Sequence, residues 1–183
     1  MGASATNKNA HIQRRKSECN RNRMRYRGRK RIQEIGLMVD ARAKGQRGEY
    51  LVRDMLRKHT RLSFERVPSS GALSYLKGDL YVPDEKNLFC IEVKNYESSP
   101  LSDKLFTNKS NYLLAWWEKI VHQASLKNQE PLLFFKYSRS KVFVVTDRKP
   151  KNLHKYMFIS WLGCYAALAE EWLIQEKPEF IGG

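Results

Sequence analysis

Cysteine is scarce in this 183-residue chain: Cys19, Cys90 and Cys164 are odd in number and far apart, which excludes a disulfide framework and a Cys-x-x-Cys zinc ribbon. A reducing, intracellular setting is expected, cytoplasmic or nucleoid-associated, and no secretory signal is read. Long apolar runs are missing too. The longest uncharged stretch, Tyr156 to Ala169, falls short of the roughly 20 residues that a membrane-spanning helix needs. The four histidines, His11, His59, His122 and His154, show no paired metal spacing, which argues against a zincin or a histidine-metal nuclease. Acids are the scarcest class for the chain's charge, 19 Asp and Glu against 34 Lys and Arg, so acids that line up with one another carry information.

What is present is a core and a basic tail. Apolar residues make up 42%, with eight Phe, nine Tyr and four Trp, enough for one domain of ordinary size. Met1 to Arg31 holds eleven Lys or Arg against the single acid Glu18, ten of the fifteen net positive charges. Few apolar residues and strong self-repulsion predict that this segment is disordered in the free protein. Its charges, Arg14, Arg15, Lys16, Arg21, Arg23, Arg25, Arg27, Arg29, Lys30 and Arg31, suit nucleic-acid phosphates, in a sequence-blind and salt-sensitive way. The expected organisation is a tail over 1–31, a transitional segment over 32–44 and a single domain over 45–183.

Along that domain, Gly45 to about Lys58 reads as a helix, with Leu51, Val52, Met55 and Leu56 as its apolar stripe and Glu49 on the same side. Ser63 to Val67 reads as a short strand, Pro68 to Gly71 as a turn, Asp79 to Val82 as a strand, Pro83 to Asn87 as a hairpin turn and Leu88 to Lys94 as its partner strand. In that last strand Phe89, Ile91 and Val93 take one face, and Cys90, Glu92 and Lys94 the other. Asn111 to Lys127 reads as a helix carrying Leu113, Leu114, Trp117, Ile120, Val121 and Ala124, with Lys119 or Gln123 facing elsewhere. Leu132 to Lys136 and Val142 to Thr146 read as strands, and Trp161 to Gln175 as a closing helix.

Glu49, Asp79, Glu92 and Lys94 form a constellation on this helix, strand and strand pattern. Carboxylates gathered at one surface repel each other and lose hydration, so a cation is needed to hold them there. Carboxylate oxygens suit Mg²⁺, or Mn²⁺ in its place, completed by waters and substrate phosphate oxygens. An amine beside such an ion orients or deprotonates the attacking water, or offsets charge on the phosphate. The pattern reads as a metal-dependent phosphodiesterase site.

Gly48-Glu49, the Ser69-Ser70-Gly71 turn, Gly78-Asp79 and Ile91-Glu92-Val93-Lys94 resemble the motif set of the PD-(D/E)XK nuclease superfamily, with a spacing most like archaeal-type Holliday-junction resolvases. The similarity covers about Gly45 to Tyr96, and Gly78 stands where the name-giving motif has proline. The resemblance implies an α/β restriction-endonuclease-like fold, a mixed central sheet flanked by helices. It also implies Mg²⁺-dependent hydrolysis of DNA, branched DNA included, by a two-fold symmetric homodimer. It makes Asp79, Glu92 and Glu49 metal ligands, gives Lys94 to the water, and places Ser69 or Ser70 near the phosphate. In-line attack of a water on the phosphorus, with the Val93 carbonyl as a further metal ligand, is the mechanism expected of this set.

Two other classes fit parts of the chain. A basic nucleic-acid-binding protein without catalysis explains the tail but not the acids. A membrane-surface protein would use Gly2, in the acylation pattern Met1-Gly2-Ala3-Ser4-Ala5-Thr6, together with the basic run.

Overall fold

The computed structural model of the chain describes residues 41–68, 77–102, 104–107 and 111–183. The basic tail, most of the transitional segment, and Ser69 and Ser70 lie outside the described residues. The first element, α1, is helical from residue 41 to residue 60, and it buries Val52 and Leu56 while Leu51 of its expected stripe stays exposed. It stops at Arg61, which takes a left-handed φ of 63° and donates its amide to the Arg57 carbonyl at 3.0 Å, closing the last turn without a glycine.

Short strands β1 (Glu65–Arg66), β2 (Leu80–Tyr81) and β3 (Lys86–Asn87) follow, then the long strand β4 (Phe89–Tyr96). Next come the single turn α2 (Lys104–Thr107), helix α3 (Tyr112–Ser125) and strands β5 (Glu130–Tyr137), β6 (Phe143–Thr146), β7 (Tyr156–Ile159) and β8 (Cys164–Leu168). Helix α4 (Ala169–Glu176) and strand β9 (Ile181–Gly182) complete the described elements. Seven strands form one mixed sheet in the order β1-β2-β4-β5-β6-β8-β7, in which β4 and β5 are parallel and every other pair is antiparallel. Parallel neighbours need a crossover, and α3 supplies it.

The sheet is covered on both sides, as the resemblance implies. Phe89, Ile91 and Val93 of β4 share a core with Val52 and Leu56 of α1 and with Trp172 and Leu173 of α4. Cys90, on the opposite face, shares a second core with Leu133, Phe135 and the α3 residues Leu113, Trp116, Trp117 and Ile120. Each such large side chain contributes roughly 1.5–3 kcal/mol on burial, so α3 is held to the sheet by its stripe rather than by helix propensity. Asn111 caps α3, accepting from the Leu113 amide at 2.8 Å and donating to the Pro100 carbonyl at 3.1 Å. The stripe differs from expectation at three positions: Trp116 is buried, Leu114 is only half-buried and Val121 is exposed.

Two expected elements are corrected. The segment after Trp161 is not a helix throughout. A 3-10 turn at Ser160–Leu162 leads through Gly163, at a left-handed φ of 61°, into strand β8, and helix begins only at Ala169. Tyr156 to Leu168 is thus a hairpin whose alanines sit in the sheet, where Ala166 and Ala167 face the two cores in turn. Alanine's helix preference of a few tenths of a kcal/mol is overridden by that burial. Nor do Lys86 and Asn87 belong to a hairpin turn alone, since they pair with Ile181 and Gly182 in a separate two-stranded sheet.

At Gly78 the backbone leaves no room for a side chain. Its φ is 88°, and a Cβ there would lie 2.5 Å from the Ile91 carbonyl oxygen, a backbone atom of β4. Gly78→Ala is expected to destabilise by about 2 kcal/mol, through left-handed strain and forced separation from β4. Thermal unfolding measures this; an unchanged midpoint would show that the turn relaxes freely.

Candidate active site

The site forms where β2 and β4 part. Leu80 pairs with Ile91, and the Asp79 amide donates to the Ile91 carbonyl at 2.6 Å. Further along β4 the Val93 amide is met not by a strand carbonyl but by the Asp79 carboxylate, at 2.7 Å to Oδ2. Asp79 therefore replaces a strand at the edge of β4, and Gly78 makes that close approach possible.

On the α3 face of β4, Glu92 and Lys94 stand two residues apart and touch. The Lys94 ammonium lies 2.5 Å from Glu92 Oε1. The same oxygen accepts from Lys119 Nζ of α3 at 2.7 Å. Glu92 is almost fully buried, its side chain 3% exposed, while Lys119 is half exposed at 51%.

These contacts set three protonation states. Burial pushes the Asp79 carboxyl up to about 6, with the neighbouring Glu92 charge adding to the rise and the Val93 amide opposing it. Burial works on Glu92 in the same direction, but the Lys94 and Lys119 ammoniums outweigh it and hold that carboxylate below its usual range. Burial disfavours the Lys94 ammonium, yet Glu92 and Asp79 keep its pKa above the ordinary lysine value. Lys94 is thus a proton donor in this arrangement, suited to orienting a water or meeting negative charge, and not a free amine able to take a proton.

Glu49 is placed differently. It sits on α1 and pairs with Arg66 of β1, Nε to Oε2 at 2.5 Å, and Arg66 also donates to the Tyr50 hydroxyl at 3.2 Å. Glu49 and Asp79 line one cavity of about 440 Å³ with Gln46, Arg66, Val67, Pro68 and Gly78. Gly48 lets α1 come close to β4, since a Cβ there would lie 2.7 Å from Asn95 Cβ. Among the described residues no three His, Cys, Asp or Glu side chains gather as a ligand cluster.

A divalent ion nevertheless suits what is there. Among the described residues no basic side chain is hydrogen-bonded to Asp79, and its raised pKa reflects burial first and then repulsion from Glu92. One or two carboxylates completed by waters and phosphate oxygens are what Mg²⁺ takes.

The family described as "Phage putative PDDEXK endonuclease" matches residues 40–162. The chain belongs to this family. The match runs from α1 into the β7–β8 hairpin and so contains Glu49, Asp79, Glu92, Lys94 and Lys119. The chain is 40% identical over 117 residues, 61% of its length and 73% of the relative's, to protein D14 of Escherichia phage T5. A solved structure of Hjc from Archaeoglobus fulgidus, a Holliday junction resolvase from an archaeal hyperthermophile, aligns over 72% of this chain and 93% of that one, at 17% identity and a TM-score of 0.39.

Of the PDDEXK residues read from the sequence, the fold joins Glu92 to Lys94 and sets Asp79 beside them. Val93 is buried on the opposite face and enters through its amide. Ser69, Ser70 and the tail arginines and lysines lie outside the described residues. Two basic residues of the site carry no signal in the motif pattern: Arg66, which holds Glu49, and Lys119, which reads as facing elsewhere. Lys119 directly precedes the buried Ile120 on α3, but only the pairing of β4 with β5 across that helix brings it to Glu92. Cys90, two residues before Glu92 in β4, is a buried free thiol pushed up to about 12, chiefly by burial.

No helix of the described residues is long and apolar enough to cross a membrane.

Proposed function

We propose that this chain is a Mg²⁺-dependent endonuclease, with Mn²⁺ able to substitute, that hydrolyses DNA phosphodiester bonds, prefers branched DNA of the four-way-junction type and acts as a homodimer. The observation that carries this is the placement of Glu92 and Lys94 side by side within the central strand β4, with Asp79 bonded to the Val93 amide between them, in a member of an endonuclease family. The junction preference and the dimer rest on the motif spacing set out above. Roles in recombination or repair belong to the same reading. So does the division into a DNA-binding tail over 1–31 and a nuclease domain over 45–183.

In this reading Asp79 and Glu92 would hold the cation, with the Val93 carbonyl and Glu49 as its further protein ligands; Glu49 is paired with Arg66 in the metal-free chain. The cation, when bound, neutralises phosphate oxygens and acidifies a water. Lys94 keeps its proton and directs that water, or the phosphate oxygen it attacks, by donating a hydrogen bond from a fixed strand position. Ser69 or Ser70 assists at the phosphate. The tail binds neighbouring phosphates without reading bases.

The test is a gel assay offering labelled four-way junction, flap, single-stranded and duplex DNA with Mg²⁺ or with a chelator. Mg²⁺-dependent cutting with junction as best substrate is expected. Binding with no cutting in any lane would leave a nucleic-acid-binding protein on a nuclease fold. Deleting residues 1–31 is expected to weaken DNA binding and flatten its salt dependence, by about 0.9 in log-log slope for each phosphate the tail neutralises. An unchanged slope would remove the tail from DNA binding.

A further inference from the structure

We infer that Lys119 is a displaceable counter-ion of Glu92: its ammonium occupies the carboxylate in the metal-free chain and gives it up to a divalent cation, so Lys119 sets the concentration at which the site loads. The inference rests on the reading of Asp79 and Glu92 as cation ligands and adds a residue to it.

Glu92 Oε1 receives two ammoniums, Lys94 at 2.5 Å and Lys119 at 2.7 Å. Asp79, Glu92, Lys94 and Lys119 together carry two negative and two positive charges when ionised, so the metal-free cluster is balanced by the chain's own side chains. A divalent ion arriving at Glu92 would leave that cluster with two surplus positive charges unless one ammonium moves away. Lys94 is the less free of the two, since it is mostly buried, 24% exposed, and rooted in a strand paired along its whole length with β5. Lys119 extends from a helix surface, its side chain half in solvent, and its four-carbon stem can swing to water at little cost. The ammonium that yields is therefore that of Lys119.

The experiment titrates the full chain with Mn²⁺ alone, without DNA, and reads the dissociation constant by calorimetry and the rise in melting temperature. Lys119→Met is expected to bind Mn²⁺ about fivefold more tightly than wild type, the gain from removing one half-exposed competing ion pair. Lys119→Arg, which restores the charge, is expected to stay within about twofold of wild type, as is Lys127→Met, which removes a charge just beyond the end of α3. Equal or weaker binding by Lys119→Met overturns the inference while leaving the cation reading intact. The same gain in Lys127→Met also overturns it, by reducing the effect to bulk charge. No Mn²⁺ binding to wild type, with Asp79→Asn indistinguishable from it, overturns the cation reading along with the inference.

Discussion

Asp79→Asn is expected to make the metal-free protein more stable at pH 8 while lowering cleavage by at least about 10²–10³-fold, the usual loss when a group stabilising charge at the reacting phosphate is removed. The folded carboxyl titrates near 6 against an ordinary value of 3.8. A carboxyl raised by folding costs stability when ionised: the fold is favoured below about pH 4, and that advantage is lost as pH rises through 6. Two pKa units correspond to up to about 3 kcal/mol, and a chain of this size gains about 2–4 °C per kcal/mol. Asparagine removes the charge yet keeps an oxygen able to accept from the Val93 amide. A melting temperature about 5–10 °C above wild type at pH 8, shrinking toward zero by pH 4, is the predicted signature. Wild type but not the variant should gain stability from Mg²⁺. A variant that melts lower than wild type at pH 8 would show that Asp79 is not under electrostatic strain.

Glu92→Gln should do the reverse to stability. Glu92 is the buried partner of two ammoniums, and its folded pKa is depressed, so its contribution is present above the unfolded value and is lost as pH falls. Removing the charge leaves the mostly buried Lys94 without its ion-pair partner. Breaking one side of a buried pair costs about 3–5 kcal/mol, and Asp79 offsets part of that, so a loss of about 2–4 kcal/mol is expected, with cutting abolished. Urea unfolding measures it, and the double variant Glu92→Gln/Lys94→Met should recover part of the loss. If the two carboxylate variants shift stability in the same direction, the assignment of Glu92 as the paired acid and Asp79 as the strained one fails.

Much of this arrangement is legible from residue order. A strand apolar on both faces up to Glu92 announces β4, and with it the shared face of Glu92 and Lys94, but β4 runs on to Tyr96, so Glu92 is buried mid-strand rather than at a rim. An Asp thirteen residues earlier, after a glycine, announces the strand that meets it. The seat of Glu49 depends on Arg66, seventeen residues away in a two-residue strand too short for any periodicity. Lys119 depends on a tertiary crossover that no local pattern encodes. The β7–β8 hairpin is missed because Cys164 to Leu168 is alanine-rich and merges in composition with α4. Its strand character comes from neighbours on both faces, which a helix-forming composition conceals.

Because β4 lies inside the sheet, with β5 bonded along its full length and β2 and the Asp79 side chain on its other edge, the amides of Ile91 to Lys94 have no local route to solvent. Their hydrogen exchange should require global opening, so the chemistry would be mounted on the slowest-exchanging part of the molecule. Mutations that loosen distant elements would then erode abundance well before they blunt the rate of each intact molecule.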